Sequence, residues 1–280
     1  MSGLAARLVG GVTREVYRRE LLPERVLWWL AADGMIAWHR TVEKRLREHL
    51  GDRSRAVLAR ASARMFQRRG QVLGVTGHDL AVLMPALYRI DRRPRARWIF
   101  STLGSAAGVT ARLRGQRLLH RMSVRQRWDE VATHLGELLV VLTDDLPAEL
   151  PHARKILGDI CFDSGVAYGK RMQRLLTIDD VRDPPAVAME ILRTSEWIFQ
   201  VNPKHWSESD GVKGALEGNA CPWYSRPGWN GAHCGIFGQF QSGVSSVFGL
   251  RYMLAKTIPK HGGDTCRIEV RPIQLRRSAT

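Results

Sequence analysis

Cysteine is scarce in this chain, with four in 280 residues. That excludes the disulfide-stapled frameworks of small secreted domains and leaves the thiols to packing, metal binding or chemistry. Long apolar runs are missing too: none approaches the roughly 20 residues that cross a bilayer. The richest stretch, Val26 to Trp38, is broken by Asp33 and Gly34. The opening segment MSGLAARLVGGV lacks the apolar core and small-residue cleavage site of a secretory signal, which predicts a cytoplasmic protein. Helix-turn-helix, RNA-binding and zinc-finger signatures are also lacking, so no familiar nucleic-acid module accompanies the charge.

What is present is a strong and uneven positive charge. Of the net +16, almost all lies up to Glu130, where 26 Lys and Arg face 11 Asp and Glu. Beyond it the counts are 17 and 16. The excess is mostly arginine, as in Arg92-Arg93-Pro94-Arg95-Ala96-Arg97. Such a half-chain suits an anionic partner (a nucleic acid, a membrane surface or an acidic protein), or it is simply an arginine-rich solvated surface. A hydrophobic content of 44% is enough for one large or two ordinary domains.

The periodicity divides the chain. Met35, Trp38, Val42, Leu46 and Leu50 recur every three or four residues, which predicts an amphipathic helix. Asp52 is placed to cap a second helix through Val57, Ala61 and Met65, closed by Gly70. Further helices are expected over 81–90, 99–119 and 124–142. No strand-like alternation occurs before Asp144, and Pro147 and Pro151 mark a boundary. The division expected is a helical, arginine-rich region over 1–146 and an α+β domain over 152–280.

In the second region, 155–177 reads as a helix with the stripe Leu157, Cys161, Gly165, Tyr168, Met172 and Leu175. Its internal glycines predict very close packing, against another backbone, a flat ligand or a second copy of the chain in a homodimer. Asp183-Pro184 starts another helix, to Arg193. Trp197–Val201 and 212–218 read as strands, 229–248 as a helix, and 250–258 with 266–272 as a hairpin. The order ααββαββ gives the fold class α+β: N-terminal helices followed by an antiparallel sheet with helices on one face.

The chemistry-bearing residues gather in three short segments: Asn219-Ala220-Cys221-Pro222-Trp223-Tyr224, Gly231-Ala232-His233-Cys234-Gly235 and His261-Gly262-Gly263-Asp264-Thr265-Cys266. Thiols and imidazoles are zinc ligands, so Cys221, Cys234 and Cys266 form a possible zinc site, although no CxxC spacing supports it. The same atoms allow cysteine catalysis. Cys234, in the first turns of a helix, is the expected nucleophile, His233 or His261 its base, and Asp264 an orienting carboxylate. Against that, His233 lies on the apolar stripe and Cys234 is small enough to be a buried hydrophobe. Cys161 reads as core. Trp223, Tyr224, Arg226 and Trp229 suit a small-molecule substrate, the arginine holding a carboxylate.

The run CPWYSRPGWNGAHCGIFGQFQSGVSSVFGLRYMLAKTIPKHGGDTCRIEVR resembles the end of the L-2-amino-thiazoline-4-carboxylic acid hydrolase-like family. With the Gly-rich helix 156–176 before it, the outline is also similar to the 4-vinyl-reductase-type small-molecule-binding domain. The likeness covers about residues 155–272. It implies hydrolysis of a cyclic amidine-like C–N bond, with Cys221, Cys234, Asp264 and Cys266 at matching positions, or else a ligand-binding module. The second domain carries a further Cys where this chain has Ile258 or Pro259, which weakens the carry-over of its zinc site.

Overall fold

The computed structural model describes residues 3–90, 109–176, 182–201, 204–219, 221 and 223–273. The Arg92–Arg97 run and the start of the helix expected over 99–119 lie outside them. In chain order the elements are α1 (Gly3–Arg18), α2 (Glu24–Leu50), α3 (Arg53–Leu73), α4 (Gly77–Leu87), α5 (Val109–His120), α6 (Val124–Asp145), α7 (Ala153–Leu175), α8 (Pro184–Phe199), β1 (Lys204–Ser209), β2 (Gly214–Asn219), α9 (Gly231–Ser246), β3 (Leu250–Lys256), α10 (Ile258–His261) and β4 (Thr265–Pro272). All strands among the described residues fall within 204–272, in an α+β arrangement with the helical segments first.

The chain forms two compact units, Pro23–Ile160 and Met1–Leu22 with Cys161–Thr280. The division therefore falls inside α7, beyond the proline-marked boundary, and α1 joins the C-terminal unit. Arg14 of α1 meets Glu190 of α8 with Nη2 at 2.5 Å from Oε2, and Arg193 donates to the Arg18 carbonyl at 2.9 Å.

The helical unit buries the stripe the periodicity marked: Met35, Trp38, Val42 and Leu46 on α2, and Val57, Ala61 and Met65 on α3. Gly70 does not close α3. The helix continues to Leu73 and ends at Gly74, whose φ of 65° is the left-handed conformation glycine favours. Many arginines are spent within the unit: Arg47 and Arg55 hold Glu43, Arg60 and Arg53 hold Glu149, and Arg64 reaches Asp145. One ionic network is buried. Arg69 holds Glu130 at 2.7 Å, Glu130 holds His134 at 2.7 Å, and the other ring nitrogen of His134 meets the Tyr88 hydroxyl at 2.6 Å.

In the C-terminal unit Asp183 caps α8 as expected, accepting from the Ala186 N–H at 2.8 Å. The strand expected over Trp197–Val201 is helix. Ile198 and Phe199 are buried as the last turn of α8, and Gln200 closes it at φ 52°. Aromatic and β-branched residues read as strand by propensity, but burial on the helix face overrides that preference. The sheet instead begins at Lys204, and its order is β1-β2-β4-β3, antiparallel throughout. Directly paired residues share a face. Gly214, Leu216 and Gly218 of β2 thus sit beside Val270, Ile268 and Cys266 of β4, with Tyr252 and Leu254 of β3 following. This is the helix-covered face: a side chain at Gly214 would meet Met189 and Pro185 of α8. The opposite face carries Arg267, which pairs with Glu208 at 3.0 Å and Glu269 at 3.3 Å.

The glycines of α7 face another backbone. A Cβ on Gly165 would lie 2.0 Å from the Phe240 carbonyl oxygen of α9, and one on Gly243 of α9 would lie 2.1 Å from that of Phe162. These two positions lock α7 against α9, so they do not face a flat ligand or a second copy of the chain. The stripe ends on Leu176, which is buried, while Leu175 is exposed.

Candidate functional site

Three loops and helix ends meet at one end of the sheet. Gly218 pairs with Cys266, so Cys221 follows three residues beyond that pair, past the end of β2. The chain then turns tightly: the Tyr224 N–H bonds the Cys221 carbonyl at 3.1 Å, and the Trp229 N–H bonds that of Arg226 at 3.2 Å. This turn drives Trp223 fully inside. Its ring meets Trp229 at 5.1 Å and Phe237 at 4.8 Å, both edge-on. Among the described residues Trp223 Nε1 finds no acceptor.

Asn230 opens α9 by accepting the Ala232 N–H at 3.0 Å, and His233 answers by accepting the Asn230 N–H on Nδ1 at 3.1 Å. That capping box gives His233 a structural task, with its ring 5.2 Å from that of Trp229. It is 2% exposed, matching the core reading of its place on the stripe. Cys234 follows in the first turn and accepts from Trp229 Nε1 at 3.3 Å. On the other side of the sheet end, Cys266 accepts the Ile258 N–H at 3.4 Å. His261 accepts the Thr257 N–H on Nδ1 at 3.1 Å and is exposed, as is Asp264 in the Gly262-Gly263 turn. Of the expected substrate-binding residues, Trp223 and Trp229 are buried here, Arg226 is half-buried and Tyr224 is exposed.

The thiols of Cys221, Cys234 and Cys266 are close enough for charge on one to raise another's pKa, while Cys161 is buried on α7. Burial dominates at all three. It pushes Cys221 up to about 11 despite the N–H groups of Tyr224 and Trp223. It also raises Cys234, outweighing the Trp229 hydrogen bond, and it raises Cys266. Desolvation thus works against the helix-end activation expected at Cys234. Nor do the residues fit zinc: among the described residues no group of three or more His, Cys, Asp and Glu is arranged to hold a metal ion.

A second group, which the sequence reading missed, adjoins the thiols. Glu196 of α8 is 2% exposed, and its Oε1 accepts from Gln241 Nε2 at 2.6 Å. Gln241 Oε1 in turn accepts the Tyr252 hydroxyl at 2.6 Å. Glu196 Oε2 has no partner among the described residues. Burial pushes this carboxyl up to about 8, against the pull of the Gln241 N–H. Its charge acts on Tyr252 and Cys266, and that of Cys234 also acts on Tyr252. Part of the signal was present in the sequence: Gln241 falls four residues after Phe237 on an apolar stripe. A separate depression of about 320 Å³ lies among Glu208, Asp210, Lys213, Arg267, Glu269 and Arg271, but it is polar and away from the thiols.

No family model, curated protein or solved structure matches this chain. Among the described residues no helix is long and apolar enough to cross a membrane.

Proposed function

We propose that the C-terminal unit binds a small, largely apolar molecule at the thiol end of its sheet, as a ligand-binding module of the 4-vinyl-reductase type. The observation that carries this reading is the burial of the thiols, which raises all three pKa values, beside the buried rings of Trp223 and Trp229. Apolar lining with a few placed polar groups is the composition of a ligand pocket. Trp223 Nε1, a buried donor with no acceptor among the described residues, supplies one such group. The hydrolytic reading needs Cys234 as a thiolate with His233 or His261 beside it. Burial opposes the first, and both imidazoles are engaged as caps. The reading takes the cytoplasm as the compartment, where thiols stay reduced. An anionic partner of the basic helical unit remains a separate proposal, and its arginine–carboxylate pairs reduce the charge available for it.

Benzyl alcohol is a suitable neutral probe, since its ring matches the aromatic lining and its oxygen accepts from an indole N–H. Titration followed by tryptophan fluorescence and by iodoacetamide labelling of Cys234 tests the proposal. Saturable quenching with slowed labelling is expected, weakened in Trp223→Phe. Unchanged fluorescence and labelling across the titration would overturn it.

A further inference from the structure

The carboxyl of Glu196 poses a question that the thiols do not. A buried carboxyl oxygen without a partner is costly, so a folded protein normally pairs it or reserves it for something. Gln241 and Tyr252 fix one oxygen of Glu196 through two bonds of 2.6 Å and leave Oε2 open. Resting on the small-molecule reading above, we infer that Glu196 is the anchor of the site and that its ligand is an aromatic ammonium whose N–H donates to Oε2.

The surroundings select the charge. The carboxyl acts on Tyr252 of β3 and Cys266 of β4, and Cys234 of α9 also acts on Tyr252. Each of these is neutral or becomes an anion. Lys256, which acts on Cys266, donates its ammonium to Thr265 at 2.7 Å. Among the described residues, burial and the Gln241 N–H are what act on the ionisation of Glu196. Among the described residues no cation neutralises this acid, so a ligand can bring the matching one.

The proton balance follows. At neutral pH the carboxyl is protonated; an entering ammonium displaces that proton to solvent and pairs with the carboxylate left behind. With the carboxyl pushed up to about 8, close to one proton is released per ligand at pH 7.

The test compares benzylamine with benzyl alcohol by calorimetry in buffers of different ionisation enthalpy. Benzylamine is expected to release close to one proton at pH 7 and to bind about tenfold tighter for each pH unit gained between 6 and 7. Benzyl alcohol is expected to release none and to bind independently of pH. Glu196→Gln, which mimics the protonated acid in shape, should keep the alcohol and lose the preference for the amine. Proton release is read on the unaltered protein, so the test stands even if that variant misfolds. If the alcohol binds but benzylamine releases no proton or binds no tighter, the Glu196 inference falls alone. If neither probe binds, the small-molecule reading falls with it.

Discussion

At the scale of single residues, the buried acids Glu130 and Glu196 respond to pH in opposite directions. In Glu130, burial alone would raise the pKa, but His134 and Arg69 bring it from 4.5 down to about 2. A lowered folded-state pKa stabilises above the unfolded value, so about 3 kcal/mol should be present above pH 4.5 and lost as pH falls toward 2. Glu130→Gln leaves Arg69 buried without its carboxylate and should cost about 3–5 kcal/mol at pH 7, measured by urea unfolding. Glu196 has a raised pKa, so its protonated form stabilises at low pH and that support is lost between 4.5 and about 8. Glu196→Gln should therefore be near-neutral at pH 4 and stabilising by several kcal/mol above pH 8. A variant equally stable relative to the parent at both pH values would refute the burial argument. Cys161→Ser places a hydroxyl in a packed stripe and should destabilise by about 1–3 kcal/mol in the same assay.

Element by element, the helix contacts make a sharper prediction. Gly165→Ala would drive a methyl into the Phe240 carbonyl, which is backbone and cannot swing aside. The helices must separate, so a loss of about 3 kcal/mol or more is expected. Gly235→Ala on α9 meets nothing within 4 Å and should gain up to about 1 kcal/mol from helix propensity. Thermal melts of the pair give the comparison; equal effects would remove the close-packing account. The same contrast explains what was legible in the sequence. The α2 and α3 stripes could be read because one face alone is buried. The close approach of α7 was readable from its glycines, though not the partner, which lies about 75 residues further on. The Trp197–Val201 segment was misread because its strand-forming residues close a helix whose burial comes from distant contacts. Glu196 escaped notice because its partners Gln241 and Tyr252 are 45 and 56 positions away.

For the whole molecule, the charge asymmetry and the chemistry belong to different units. Among the described residues, ten arginines of Pro23–Ile160 pair with carboxylates within that unit, whereas the thiols, Glu196 and the aromatic cluster all belong to the C-terminal one. Ligand-induced protection from hydrogen exchange should therefore concentrate in β2, α9, β3 and β4. The central claim is that the thiol end is a neutral binding site and not an activated nucleophile. The most direct measurement is the pH dependence of iodoacetamide labelling at Cys221, Cys234 and Cys266, resolved by peptide mass spectrometry. The account predicts that each reacts more slowly than a free thiol at neutral pH, with rates still climbing beyond the ordinary value of 9.0. A Cys234 rate that has already reached its plateau at neutral pH would contradict it.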